Sequence, residues 1–290
     1  MPDRIDEPDE DFRLVPAITD PAQARRLHAE NVAAWDQAAA DYSSLNEERV
    51  KLLRQGESHL HPLERANLAR LGPLSDWCRE AVHLQCSSGF DALSLLNEGA
   101  HHVVGVDISP VHIGNARWVT NELGWGDRAE WYVADVLDTP HELDGRFELV
   151  YTGMGALCWI HDLVAWAGVV ARLLRPGGVF HVLDNHPTIW MWDDLSDDLR
   201  VYPGVSYFDQ AGESTSWSPG YLPELGGGLP RKHERSWTFA DVLNPLIAAG
   251  LRIERLGEHR EGYFDALPNL RESEKARIPF SFTLLARRPV

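Results

Sequence analysis

The chain has 290 residues, 44% hydrophobic and 24% charged, an ordinary globular composition with room for one large α/β domain or two small ones. A formal charge of −17 without any Lys/Arg run argues against a phosphate-binding face, so nucleic acid is not an expected partner. No apolar run approaches the ~18 residues of a membrane span, the opening MPDRIDEPDEDF lacks the apolar core of a signal peptide, and three cysteines (Cys78, Cys86, Cys158) without a CxxC pair fit a reducing cytoplasm.

Residues 1 to about 19 are polar, acidic and proline-containing and read as a disordered tail. Asp20-Pro21, an N-cap followed by proline at the first helical position, starts a helix that runs to about Tyr42. Leu27, Asn31, Trp35, Ala38 and Tyr42 share one face of it. Further helical segments, Glu47 to Arg54 and Pro62 to Leu71, end at Gly56 and Gly72, so residues 20–72 read as a helical cap. His59 and His61 between them have no third ligand at a recognised spacing, and no metal site is expected.

Ala81 to Cys86 is a short apolar strand suited to burial on both faces. Ser87, Ser88 and Gly89 let the chain turn sharply and approach a ligand closely. Asp91 to Asn97 is helical, with Gly99 at its C-cap, and Val103 to Val106 is a second strand closed by Asp107. Asp107 follows Gly89 by 18 residues. That is near the spacing of about 20 at which an acid meets a ribose in nucleotide-binding βαβ units. The GxGxxG fingerprint is absent, which disfavours a nicotinamide or flavin enzyme.

Ser109-Pro110 starts a helix that ends at Gly124, and Ala129 to Ala134 is a third strand followed by Asp135. Phe147 to Thr152 is a fourth strand, opening into Gly153-Met154-Gly155. His161-Asp162 starts a helix with Leu163, Trp166, Val170 and Leu173 on one face, and Arg175-Pro176-Gly177-Gly178 leads into a fifth strand, Val179 to Leu183. Residues 185–236 break this alternation. They hold Trp190, Trp192, Tyr202, Tyr207, Phe208, Trp217 and Tyr221 and read as an insertion covering an acceptor pocket. Thr238 to Asp241 is a capping box for a helix ending at Gly250. Leu251 to Leu256 and Pro279 to Ala286 are the last strands, so residues 73–184 and 237–290 form the core.

The stretch from His83 to Asp107 resembles the first motif of class I S-adenosylmethionine-dependent methyltransferases. Their turn has an acid followed by Gly-x-Gly-x-Gly; those positions read His83, Gln85, Ser87 and Gly89 here, so only the last glycine is kept. The variant LQCxxGxD, carried by Leu84 to Asp91, resembles a small-molecule branch of the family. The resemblance covers about residues 75–185 and the final 50 residues. It implies an α/β, Rossmann-like, doubly wound and mostly parallel seven-stranded sheet with an antiparallel last strand, an N-terminal helical cap and the aromatic insertion after strand five. The implied cofactor is S-adenosyl-L-methionine. Implied contacts are Tyr42, Gln85, Cys86, Ser87, Gly89, Asp107, Ile108, Asp135, Val136 and Thr152, with Asp107 at the ribose and Asp135 at the adenine. His59 and His61 then face the cofactor's carboxylate or the surface.

Tyr151-Thr152-Gly153-Met154 stands where the family's DNA and protein amino methyltransferases carry an Asn or Asp, two prolines and an aromatic. With the acidic charge, this implies a small acceptor, and the aromatic insertion suggests an apolar or planar one. His186, just after strand five in Asp184-Asn185-His186-Pro187, stands where sheets of this kind meet ligands. It is the expected base, oriented by Asp184, with His161 the second choice. Two other readings stay open: a nucleotide-binding oxidoreductase, and a protein that binds the cofactor without transferring methyl. A homodimer is also left open.

Overall fold

The computed structural model describes residues 12–208, 210–217 and 230–290. In chain order they form β1 (Phe12–Pro16), α1 (Pro21–Tyr42), α2 (Asn46–Arg54), α3 (Pro62–Leu68), α4 (Leu74–Trp77), β2 (Glu80–Leu84), α5 (Phe90–Asn97), β3 (His102–Asp107), α6 (Pro110–Leu123), β4 (Ala129–Val133), β5 (Phe147–Gly153), α7 (Leu163–Leu173), β6 (Leu174–Asn185), β7 (Gln210–Ser214), β8 (Lys232–Arg235), α8 (Phe239–Ala248), β9 (Arg252–His259), α9 (Glu272–Lys275) and β10 (Ser281–Arg287). Local chemistry sets many of these boundaries. The Asp20 carboxylate accepts the Ala22 N–H at 3.0 Å, and the Ser109 hydroxyl accepts the His112 N–H at 3.0 Å. Thr238 and Asp241 exchange both bonds of a capping box at the start of α8.

Seven strands form the main sheet in the order β4-β3-β2-β5-β6-β10-β9. β10 runs antiparallel to both of its neighbours, and the other pairings are parallel. The strands bury both faces by alternation. Val82 and Leu84 join Val104, Val106, Phe180 and Val182 under α7 and α8, around the fully buried Trp166. Ala81, Val103 and Leu149 face the opposite way, onto α5 and α6. α3 packs on β6 and β10, so the N-terminal helices are built into the sheet's surroundings and are not a separate layer. The chain crosses from one side of β2 to the other between β4 and β5, a topological switch point that opens a crevice at the carboxyl ends of the strands.

The insertion divides in two. Ile189, Trp190, Trp192 and Leu199 pack with Leu267, Leu270, Ile278 and Phe280, anchoring its first part to the segment before β10. Its second part supplies β7 and β8 to a small antiparallel sheet of order β1-β7-β8, laid along α1. Here the expectation of a disordered tail is corrected from Phe12 onward. Phe12–Pro16 is a strand whose partner Gln210–Ser214 lies about two hundred residues away, and the Phe12 ring sits over Gly212, where a Cβ would come within 2.5 Å. A pairing so distant leaves no local periodicity to read. Residues 1–11 and Tyr221 lie outside the described residues.

Candidate functional site

A cavity of about 550 Å³ opens at the switch point, within the range of ~300–1,000 Å³ usual for small-molecule sites. Its floor is made by the ends of β2 to β5, and its roof by α1, α2 and the pair Tyr263-Phe264.

The floor is organised by the turn after β2. Gln85, Ser87 and Gly89 all take positive φ (59°, 49° and 77°), the three positions at which the resembling motif has glycine. The left-handed backbone is therefore kept although two of its glycines are gone, at a cost of about 1–2 kcal/mol for each non-glycine residue. Side-chain and carboxylate bonds offset that cost. The Gln85 amide donates to the Ala156 carbonyl at 2.9 Å, and the Ser87 N–H donates to the Asp107 carboxylate at 2.8 Å. Gly89 is required for another reason: a Cβ there would lie 2.4 Å from the Trp131 ring.

Asp107 also accepts the Ser109 N–H at 2.9 Å. Burial pushes its carboxyl up to about 6, and these two N–H groups hold it from going higher. Asp135, at the end of β4, accepts the Leu137 N–H at 2.9 Å on one oxygen and His28 Nδ1 at 2.8 Å on the other. It therefore caps a turn and lines the cavity at once. Gln85, Cys86, Ser87, Asp107, Ile108, Asp135, Val136 and Tyr42 all line the cavity. Gly89 and Thr152 do not. Gly89 packs on Trp131, and Thr152 is fully buried inside β5.

Sequence reasoning missed the cation of the roof. Arg49, on the buried face of α2, is 8% exposed and lines the cavity. Its guanidinium donates to Asn46 Oδ1 at 3.2 Å and to the Tyr42 carbonyl at 3.4 Å, and lies over the rings of Tyr42 and Phe90. Among the described residues it forms no ion pair with a carboxylate. Burial lowers its pKa, as expected for a desolvated cation. The only signal in the sequence was an arginine on the apolar face Asn46, Val50, Leu53.

His59 also lines the cavity, and its Nδ1 donates to Asp91 at 2.5 Å. That bond raises the His59 pKa. Burial opposes ionisation of Asp91, yet the His59 contact draws its carboxyl below the usual range. His61 instead caps α3, accepting the Leu63 N–H while the Glu64 carboxylate accepts its own N–H. Glu64 is fully buried, accepts the Tyr151 hydroxyl at 2.6 Å, and is pushed up to about 8 by burial. No group of metal-ligating side chains occurs among the described residues.

The two expected bases, His186 and His161, do not line the cavity. His186 is not among the lining residues. Its Nδ1 pairs with the Thr188 hydroxyl at 2.8 Å, its Nε2 with Glu258 at 2.9 Å, and its ring packs edge-on to Phe239. Asp184 does not orient it: that carboxylate accepts the N–H groups of Leu157 and Asn185. The strand end was read correctly, but the chain turns back there, the His186 N–H donating to the Phe280 carbonyl. His161 is 4% exposed, and its Nε2 faces the His233 carbonyl at 3.3 Å. Met154, Trp159, Ile160, Tyr263 and Phe264 also line the cavity. Met154 holds φ 49°, a strained backbone of the kind concentrated at functional sites.

A ligand crevice at the switch point, a left-handed turn on its floor, and an acid ending each of the next two strands define a nucleotide-type site on a doubly wound sheet. A profile of the methyltransferase domain matches residues 81–178, the stretch that builds this floor. The chain is 27% identical over 186 residues to an uncharacterized methyltransferase of Synechocystis sp., covering 61% of this chain and 78% of that protein. Its fold is similar to that of an S-adenosylmethionine-dependent methyltransferase from Mesorhizobium loti (TM-score 0.54, 24% identity, 77% of this chain and 96% of that one). It is also similar in fold to geranyl diphosphate C-methyltransferase from Streptomyces coelicolor, solved with S-adenosyl-L-homocysteine (TM-score 0.52, 14% identity, 77% and 76%). The fold is thus that of S-adenosylmethionine-dependent methyltransferases, and residues 81–178 match the methyltransferase domain by sequence as well. The donor set fits that cofactor: acids for hydroxyl and amino donors, and, for a carboxylate, a buried guanidinium that has no ion pair among the described residues. Among the described residues no helix is long and apolar enough to cross a membrane.

Proposed function

We propose that this chain methylates a small, apolar or aromatic metabolite in the cytoplasm, and that it falls in the small-molecule branch marked by LQCxxGxD. One observation carries the reading: the cavity lining includes the apolar and aromatic side chains Trp35, Phe90, Met154, Trp159, Ile160 and Phe264, and its one arginine, Arg49, is taken by the cofactor's carboxylate on this reading. Such a wall favours flat or aliphatic surface over phosphate. Asp107 and Asp135 hold the cofactor's ribose and adenine, and Arg49 its carboxylate. When bound, the cofactor supplies an electrophilic methyl group on a sulfonium that leaves readily. The protein's share is alignment and the exclusion of water, to which Trp35, Trp159 and the insertion contribute as a roof. With both His186 and His161 away from the cavity, we assign no side-chain base, and an acidic acceptor proton passes to solvent.

The test is a calorimetric titration with S-adenosylmethionine, S-adenosylhomocysteine and NAD, followed by radiolabelled methyl transfer to a panel of phenols, polyketides, isoprenoids and small amines. Binding of both adenosyl compounds but not NAD, with label in a flat or aliphatic acceptor, supports the reading. Tight binding of NAD overturns it, and label found only in amines or in nucleic acid overturns the acceptor class.

A further inference from the structure

Asp135 is expected to face the adenine, yet one of its oxygens is already engaged by a histidine from the roof. The geometry around that histidine fixes its proton. The backbone N–H of His161 points at His28 Nε2, 2.9 Å away. An amide N–H can only donate, so Nε2 must carry the lone pair and the ring proton must sit on Nδ1. Nδ1 lies 2.8 Å from Asp135 Oδ2, toward which it donates. The other oxygen of Asp135 accepts the Leu137 N–H. The carboxylate is thus held on both oxygens. A carboxylate has about four lone-pair positions, and two are used. Asp135 lines the cavity with its side chain 13% exposed, so unused acceptor capacity faces the ligand space.

Histidine suits this place because its two nitrogens lie on opposite sides of one ring. It accepts from the loop before α7 and donates to the end of β4 at the same time. His28 is 4% exposed on the buried face of α1, which also carries Ala24, Asn31 and Ala34. Its position is held from the outside as well, since Asn31, one turn on, exchanges two hydrogen bonds with the backbone of His233. His161, picked out in the sequence as a base, thereby has a backbone role in the site.

We propose that His28 is the positioning residue that makes Asp135 selective for an amino-bearing base: it keeps the carboxylate turned as an acceptor toward the N6 amino group of the cofactor's adenine. The proposal rests on the reading that Asp135 meets the adenine.

The experiment compares S-adenosylhomocysteine with S-inosylhomocysteine, in which an oxo group replaces that amino group, by calorimetric affinity for the intact protein. Wild type should prefer the adenine compound by at least about tenfold, because a hydrogen bond to a charged group is worth ~1.5–3 kcal/mol. Two variants separate the roles of the ring nitrogens. His28→Asn keeps a donor near the Nδ1 position and should keep the preference within about threefold. His28→Gln keeps a polar group near the Nε2 position and removes the donor, and should bring the preference below about threefold, as should Asp135→Asn. Melting curves confirm folding before each titration. Should His28→Gln weaken both compounds equally and leave the preference intact, His28 merely fastens α1 and the proposal is overturned. If wild type binds both equally, the proposal fails while the cofactor reading stands; if it binds neither, the cofactor reading itself has failed.

Discussion

The floor and the roof of the cavity are built on different principles. The floor is a consequence of the sheet: strand ends in register present Asp107 and Asp135, and backbone N–H groups two residues on fix both carboxylates. The roof is assembled from side chains of elements distant in sequence. Arg25 pairs with Asp138, the Ser109 hydroxyl donates to Asp36, Asn115 donates to the Ala39 carbonyl, and His28 spans to Asp135. The floor should therefore bind by backbone geometry that survives most surface change. The roof depends on single bonds and should yield to single substitutions.

Removing the main acid of the floor should have the largest effect. Asp107→Ala takes away the carboxylate that accepts Ser87 and Ser109 and, on the proposed reading, two ribose hydroxyls. Losing two charge-assisted bonds at ~1.5–3 kcal/mol each lowers cofactor affinity by about 100-fold or more. The melting temperature should fall too, because two N–H groups lose their partner. Titration below the transition checks the first effect; affinity within tenfold of wild type would mean that the turn alone carries binding.

On the roof, Arg49→Met keeps the apolar stem and removes the cation. Affinity for S-adenosylmethionine should fall about 10- to 100-fold, while methylthioadenosine, which lacks the carboxylate, binds unchanged. Stability should hold or rise, because a desolvated cation without an acid partner is a cost to the fold. Equal losses for both ligands would show that Arg49 shapes the roof and reads no carboxylate.

This contrast also decides what was legible in the sequence. The strands, the turn at Gly89 and the acid at Asp107 are patterns within some thirty residues, where periodicity and spacing speak directly. The left-handed backbone at Gln85 and Ser87 was hidden by its residue types, although the loss of glycine did not remove the conformation. Arg49 and His28 were invisible because their meaning lies in partners, or in a missing partner, supplied by other elements. β1 was missed for the same reason, its mate being β7. His186 was placed correctly along the chain, but its ring direction depends on Glu258 and Phe239, which only the folded β9 and α8 bring to it.

Outside the cavity lining, Glu64 on α3 is buried against Tyr151, and burial raises its carboxyl to about 8 from an ordinary 4.5. The folded protein then binds a proton that the unfolded chain has released, so between about pH 4.5 and 8 stability falls as pH rises, by at most ~1.4 kcal/mol per unit. Glu64→Gln keeps an acceptor for the Tyr151 hydroxyl and removes this penalty. The variant should gain on wild type steadily as melting is measured from pH 5 to pH 8. Parallel melting curves across that range would show that Glu64 is ionised in the folded protein.

The smallest effect is expected at His186, outside both regions. Its two ring nitrogens are taken by Thr188 and Glu258, and burial lowers its pKa more than Glu258 restores it, so a neutral, engaged ring is left. Glu258 is more than half exposed, so the pair contributes below about 1 kcal/mol. The cost of His186→Ala is therefore mainly the lost packing on Phe239, visible as a modest drop in melting temperature. Methyl transfer should keep kcat within about threefold of wild type at every pH, and cofactor affinity should not change. A positioned base would be worth ~10²–10⁴-fold. A loss of that size in the folded variant, with the pH profile flattened near neutrality, would require the loop after β6 to swing its histidine into the cavity when ligands bind, and would return His186 to the chemistry.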